Sequence, residues 1–364
     1  MADPCPCQLQ SLLFALDRNG LRSDTGSVMD QLIADTIADA RWFPWRFDGR
    51  RDELHFAWAP AEMQEEVTFL NELRPAADHL RILPRAAVAQ APIGEAPLHF
   101  ILHSGLGGST LLARALMQRG VVTTLKEPPI LTDVIAFGLN APAGQAIALR
   151  DQVMRLLARP YAPDEAVAIK MSSIGNGLVA SAAAQRPNSK ILCMGAPLEA
   201  VLTSLAKRGL EGRLGGRKLF VGLRNAGLGE LGFSGKELLE QSDLQLAALG
   251  WLAIQRLIGD AAPRFGPERV RSISTEQFIE RPREGLEAIA RHLGVNLDVD
   301  QRIASGIFER HAKTGEPFDA ETRAKAVATT MVLHGDEIGP VVEWARKVAE
   351  VNRIPLGLPH PLLA

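Results

Sequence analysis

From Leu98 onward, short apolar runs alternate with segments whose apolar residues recur at helical spacing. The runs are Leu98–His103 (LHFILH), Gly120–Leu125 (GVVTTL), Ala166–Met171 (AVAIKM), Lys190–Gly195 (KILCMG) and Arg269–Ser274 (RVRSIS), bounded by Gly, Pro, Ser or Asn. Their length and near-continuous apolar character suit strands covered on both faces. Between them, Ser109–Arg119, Asp151–Pro160, Asn176–Gln185 and Pro197–Arg208 repeat apolar positions as an amphipathic helix does. Strand, helix, strand in succession predicts parallel strands joined by right-handed crossovers. Beyond Ser234 the pattern is mostly helical apart from the strand near Val270. The segments around Leu246, Ile289, Ala326 and Val342 are expected to cover the sheet.

Before about Gln90 the chain reads as helices and irregular turns. Trp42, Phe43, Trp45 and Phe47 crowd into RWFPWRFD, and Glu65–Leu73 (EEVTFLNEL) carries a second apolar face. Such an aromatic cluster is a packing anchor, because aromatic rings supply so much buried area. Small residues and prolines gather in Ala86–Pro97 (AAVAQAPIGEAP), which is linker chemistry. The predicted organisation is a mainly helical extension over residues 1–96, an α/β domain over 97–353 with a parallel sheet flanked by helices and a helical C-terminal region, and a tail over 354–364. No internal repeat or low-complexity tract is visible.

Composition narrows the partners. The chain of 364 residues, 46% hydrophobic and 23% charged, has the balance of an ordinary globular protein, and no tract reaches the apolar length of a membrane span. A formal net charge of -2 and a pI near 6.5 leave no broad basic footprint for nucleic acid, so any anion site is local. The start MADPCPCQLQ carries acid and proline where a secretory signal carries positive charge and an apolar run, and the protein reads as cytoplasmic. Cys5, Cys7 and Cys193 do not make a disulfide framework, and no histidine cluster accompanies them, so no metal is expected.

The chemistry concentrates in one turn. Strand LHFILH runs into Ser104–Thr110 (SGLGGST) and then into helix LLARALMQR. Glycines there allow a tight turn that points successive amides into one concavity, and the following helix adds its positive end. A phosphate or sulfate group fits that arrangement, with Gly105, Leu106, Gly107, Gly108, Ser109 and Thr110 around it. The hydroxyls of Ser109 and Thr110 can cap the helix or donate to the anion. A Walker A loop needs lysine before Ser109, where this chain has Gly108.

HSGLGGSTLL resembles the 5'-phosphosulfate loop of the sulfotransferases, with Gly108, Ser109 and Thr110 matching and Leu106 standing where that family has a basic residue. That resemblance implies a P-loop-type fold and 3'-phosphoadenosine 5'-phosphosulfate as donor, without a metal. It extends over roughly Pro97 to Lys347. In TLKEPPIL, Glu127 is placed like the catalytic glutamate of the tyrosylprotein branch, which implies a general base on an acceptor hydroxyl. If the strand persists, Lys126 points to the opposite side from Glu127. Lys170 ends AVAIKM, facing the crevice where open α/β sheets bind ligands, and can supply the charge absent at Leu106. KILCMGAPLEAVLTSLAKRG is similar to the family's 3'-phosphate signature: Pro197 is kept, Gly195 replaces arginine, and Thr203 replaces serine with Ser204 beside it. The basic stretch that follows offers Arg208 and Arg213, whose forked guanidinium groups suit phosphate. RVRSISTEQFIERPREGLEAIARHLGV fits a further family run, with Thr275 in place of tyrosine. His103 and His311 are read as structural.

Three readings stay open at this point: a sulfotransferase with an unidentified hydroxyl or amine acceptor, a kinase-like phosphotransferase using ATP, and a catalytically inactive nucleotide- or partner-binding protein. The acceptor, small molecule or protein, and the oligomeric state are not written in the sequence.

Overall fold

In a computed structural model, residues 22–105, 108–310, 312, 315 and 320–364 are described. They fall into two compact units: the first takes the described part of Met1–Pro97 together with Glu127–Val167, and the second takes Leu98–Lys126 with Ala168–Ala364.

The first unit contains a three-stranded antiparallel sheet that the sequence pattern did not announce. Strands β1 (Trp42–Asp48), β2 (Glu53–Trp58) and β3 (Leu80–Pro84) lie in the order β1-β2-β3. The aromatic cluster taken for a packing anchor among helices and turns is β1 itself, because aromatic rings suit a half-buried pleated surface. Its alternation is hidden by a register shift between Pro44 and Arg46, where an extra residue displaces the side chains that follow. Pro44 is tolerated because β1 is an edge strand. The Asp48 carboxylate accepts from the amides of Arg50 at 2.8 Å and Arg51 at 3.2 Å, closing the turn into β2.

Arg159 holds this unit together. It is 4% exposed and donates to the carbonyls of Thr36 at 2.8 Å, Ile37 at 3.1 Å, Asp39 at 3.3 Å, Leu156 at 2.9 Å and also Trp42. Three of these carbonyls end or follow the helix Arg22–Ala38, whose last carbonyls have no partner within the helix. One guanidinium therefore caps a helix and ties it to β1. Burial pushes its pKa down to about 10, still well above neutrality.

The second unit carries a five-stranded parallel sheet of β4 (Leu98–His103), β5 (Val122–Lys126), β6 (Ala166–Lys170), β7 (Ile191–Gly195) and β8 (Val270–Ser274), in the order β5-β6-β4-β7-β8. All five strands read from the apolar runs are present, and every residue of β4 to β7 is buried, as expected for strands covered on both faces. Cys193 lies inside β7, where burial pushes its thiol up to about 12 and keeps it inert. The order reverses at β4: the chain leaves it for β5, returns through β6, and then continues on the other side through β7 and β8. Ligands of open α/β sheets bind outside the carboxyl ends at such a switch point.

The helices Leu198–Lys207, Asp243–Phe265 and Ala320–Val351 share one apolar cluster that includes Leu202, Leu249, Trp251, Ile338 and Ala345. The segment read as a tail is docked: Ser272 accepts from Leu362 N–H at 2.7 Å and donates to His360 at 3.1 Å, so residues 360–362 run along the outer edge of β8.

His99, at the start of β4, is 3% exposed and accepts the Lys190 amide at 3.1 Å. Burial first, then repulsion from His292 and Lys190, pushes its pKa down to about 4. An unfolded histidine titrates near 6.5, so below that pH the unfolded chain binds the extra proton and the native state does not. The stability held by neutral His99 is therefore complete above about pH 6.5 and is lost as pH falls toward 4. Urea denaturation at pH 5 should show about 2 kcal/mol less stability from this residue than at pH 7, and His99→Gln should flatten the dependence. Arg159→Met, which strands several buried carbonyls, should cost about 3 kcal/mol or more in the same assay.

Candidate functional site

The turn leaving β4 is organised by a histidine clamp. The amide of Gly105 donates to Nδ1 of His103 at 3.1 Å, which leaves Nε2 to carry the ring proton and donate to the Met171 carbonyl at 2.7 Å. His103, 4% exposed, thus couples the first residue of the turn to the end of β6. Asn176 adds a second tie, its amide donating to the His103 carbonyl at 2.9 Å, while its buried Oδ1 has no hydrogen-bond partner. Both ring nitrogens of His103 are thus engaged within the chain. His311, Leu106 and Gly107 lie outside the described residues, as do Cys5 and Cys7.

Gly105 and Gly108 both adopt the left-handed region, at φ 77° and 69°. Gly108 is the residue just before the helix Ser109–Leu116, and a Cβ on it would lie 3.0 Å from Cγ2 of Thr275 and 3.3 Å from Cε of Met194. Only glycine suits that position in both conformation and space. Ser109 and Thr110 follow, 6% and 4% exposed, at the helix's positive end. Neither side chain caps the helix, since Gly108 is the capping residue.

Two lysines finish adjacent strands at the same carboxyl edge: Lys126 at the end of β5, 2% exposed, and Lys170 at the end of β6, 1% exposed. An ammonium group so far from water is stable only among acceptors or opposite charge. Glu127, next after Lys126, has φ 57°, a left-handed conformation that costs a non-glycine residue of order 1 kcal/mol. The alternation that set Glu127 and Lys126 on opposite faces assumed a persisting strand. The strand ends at Lys126, so that inference stops there.

Of the residues read for the second phosphate, Thr203 and Arg213 already have partners in the chain. Thr203 is buried in the helix Leu198–Lys207 and donates to its own helix at the Glu199 carbonyl, 2.7 Å away. Ser204, beside it, is half-buried. Arg213 is held by a bidentate pair with Glu337 at 2.7 and 2.6 Å, which raises its pKa through that hydrogen-bonded charge. Arg208 is exposed at the junction of Leu198–Lys207 with the helix Gly209–Asn225. That second helix reaches the turn through Leu219, whose Cδ2 lies 3.9 Å from a Cβ placed on Gly105. At Gly195, where the resembling family carries arginine, a Cβ would lie 3.0 Å from Cδ2 of Leu358, so the docked C-terminal segment fills that space.

Residues that no sequence reading put at the turn are Ser173 and Thr275. The Ser173 hydroxyl is 3.7 Å from a Cβ placed on Gly105, and the Thr275 hydroxyl donates to the Gly195 carbonyl at 3.2 Å while its methyl walls Gly108. The signal was a Ser-Ser pair directly after an apolar strand, and a threonine directly after another, both at carboxyl ends. No group of three or more His, Cys, Asp or Glu side chains suited to a metal occurs among the described residues, and none of their helices is long and apolar enough to cross a membrane. Two cavities, one lined by Trp42, Trp58 and Arg81 and one by Lys190, Arg271 and His292, include none of the turn residues.

No protein-family model matches the chain, and no curated protein sequence does. Among solved structures it is similar to a sulfotransferase domain from the curacin biosynthetic pathway, at 17% identity and a TM-score of 0.39, over 72% of this chain and 99% of that one. It is also similar to a sulfotransferase domain from the Synechococcus PCC 7002 olefin synthase, at 16% identity and a TM-score of 0.37, over 74% of this chain and 99% of that one.

Gly108→Ala should cost about 2–3 kcal/mol in thermal or urea unfolding, part from the positive φ and part from the Thr275 methyl. Thr275→Ser, which removes that methyl, should recover the second part only. A Gly108→Ala protein that unfolds like the original would mean that the turn is not held as described.

Proposed function

We propose that the carboxyl edge of the parallel sheet binds the phosphosulfate end of 3'-phosphoadenosine 5'-phosphosulfate and that the chain is a sulfotransferase. The observation that supports this most is the pairing of the left-handed Gly108 and the buried hydroxyls of Ser109 and Thr110 with two buried lysines ending β5 and β6. Amides at a helix start together with cations at neighbouring strand ends favour a multiply charged oxyanion. The donor supplies the sulfuryl group, which transfers through a loose transition state and needs charge stabilisation more than covalent help.

In this reading the turn Gly105–Thr110 holds the 5' end, and Lys170 carries the charge that Leu106 does not. Glu127 takes the proton of the acceptor hydroxyl, held for that task by a backbone conformation that side chains seldom adopt. The 3' phosphate falls to Arg208 and Ser204, because the Thr203 hydroxyl and Arg213 already have partners in the chain. A kinase-like phosphotransferase lacks support, since the residue before Ser109 is glycine rather than the lysine that an ATP-binding loop uses.

Calorimetry with adenosine 3',5'-bisphosphate, ATP and ATP with magnesium decides among the readings. The bisphosphate should bind at least tenfold tighter than ATP without magnesium, a difference of about 1.4 kcal/mol, and both Lys170→Ala and Arg208→Ala should weaken it. Equal indifference to all three ligands removes the proposal; magnesium-dependent ATP binding replaces it with the phosphotransferase. Once an acceptor is found, Glu127→Gln should lower turnover by about a hundredfold or more with little change in bisphosphate affinity.

A further inference from the structure

The opposite edge of the same sheet carries a second concentration of positive charge. At the amino ends of β7 and β8 a cleft of about 290 Å³ is lined by Lys190, Glu268, Arg271, Arg291 and His292, with Pro267, Ala288 and Leu362 completing its walls. Lys190 immediately precedes β7, Arg271 is the second residue of β8, and Arg291 and His292 end the helix Pro282–Leu293. Three permanent cations and a histidine thus face one acid. Strands of five residues span about 17 Å, so this cleft is separate from the turn at Gly108.

The chain does not neutralise these cations among themselves. The Lys190 ammonium donates to the Glu268 backbone carbonyl at 2.8 Å rather than to a carboxylate. Arg271 donates through Nη2 to the Pro361 carbonyl at 3.0 Å, and its buried Nε has no hydrogen-bond partner. Arg291 is exposed and forms no ion pair among the described residues. His292 contacts the Ile191 carbonyl through Nε2 at 3.2 Å. Burial pushes its pKa down to about 4 against that carbonyl, and Lys190 and Arg271 add repulsion. His99, also neutral, senses Lys190 in the same way.

Like charges gathered in a concave, partly desolvated place repel one another, and an anion relieves all of the repulsion at once. A forked guanidinium beside an ammonium suits a tetrahedral oxyanion. The volume lies below what a nucleotide-sized ligand fills, which restricts the occupant to a small molecule. We infer that the cleft formed by Lys190, Arg271, Arg291 and His292 is a second anion site, for a small phosphate- or sulfate-bearing compound, distinct from the nucleotide site.

The test follows the histidine resonances of the full chain by NMR during titration with inorganic phosphate and, separately, glycerol 3-phosphate. Saturable shifts at His292, with its titration midpoint raised by about one pH unit or more as bound anion offsets Lys190 and Arg271, are expected. Arg291→Ala, an exposed helix position, should weaken binding about tenfold without altering the circular dichroism. Lys190→Ala should do the same, and the relative affinity of the two probes distinguishes the free ion from the ester. Shifts confined to His103, no saturable shift at His292 up to about 10 mM probe, or affinity unchanged in both variants would overturn the inference. Because His103 reports on the turn and His292 on this cleft, the outcome is independent of whether the chain is a sulfotransferase.

Discussion

Left-handed backbone at two glycines, with no room for a side chain at the second, is the constraint on which the candidate site depends. At Gly108 the obstruction comes from Thr275 beyond β8 and Met194 of β7, so the shape of the turn is imposed by two strands other than the one that feeds it. At Gly105 it is His103 that acts, accepting the amide on one side of its ring and donating to the end of β6 on the other. Four strand ends therefore meet at one turn.

The same edge carries charged side chains where a sheet core is otherwise apolar. Two lysines nearly out of water end β5 and β6, and Glu127 follows the first of them in a left-handed conformation. Apolar side chains would serve a sheet core at lower cost, since burying a charge demands compensation. Elsewhere the second unit is economical: helix Gly209–Asn225 uses Gly216 to approach Ala247 so closely that a Cβ there would lie 2.7 Å away. The basic stretch that dominates this region of the sequence is thus also a packing surface, and Arg213 and Arg217 are drawn into ion pairs with Glu337 and Asp243.

The first unit obeys a different logic. Its sheet is small and antiparallel, the aromatic run Trp42–Phe47 sits on an edge strand, and the helix Arg22–Ala38 is finished by carbonyl contacts from one buried guanidinium contributed from more than a hundred positions away. Arg46 reaches 87 positions along the chain, to Asp133 at 2.7 Å, and Phe47 packs edge-on to Phe137. Long-range polar ties of this kind make the segment Glu127–Val167 an integral part of that unit.

The five strands of the parallel sheet, the helices between them and the glycine turn were legible in the chain because a strand covered on both faces must be apolar throughout, and a tight turn must be glycine. Those are local requirements, and residues satisfy them one neighbourhood at a time. The antiparallel sheet was not legible, since an irregularity near Pro44 shifts its alternation. Nor was the engagement of Thr203 and Arg213, the filling of the space beside Gly195 by Leu358, or the left-handed Glu127. Each of these depends on which distant atoms arrive at the same place. Periodicity reports how a segment faces its core; only the closed tertiary structure decides which polar groups already have partners and which remain to receive a ligand.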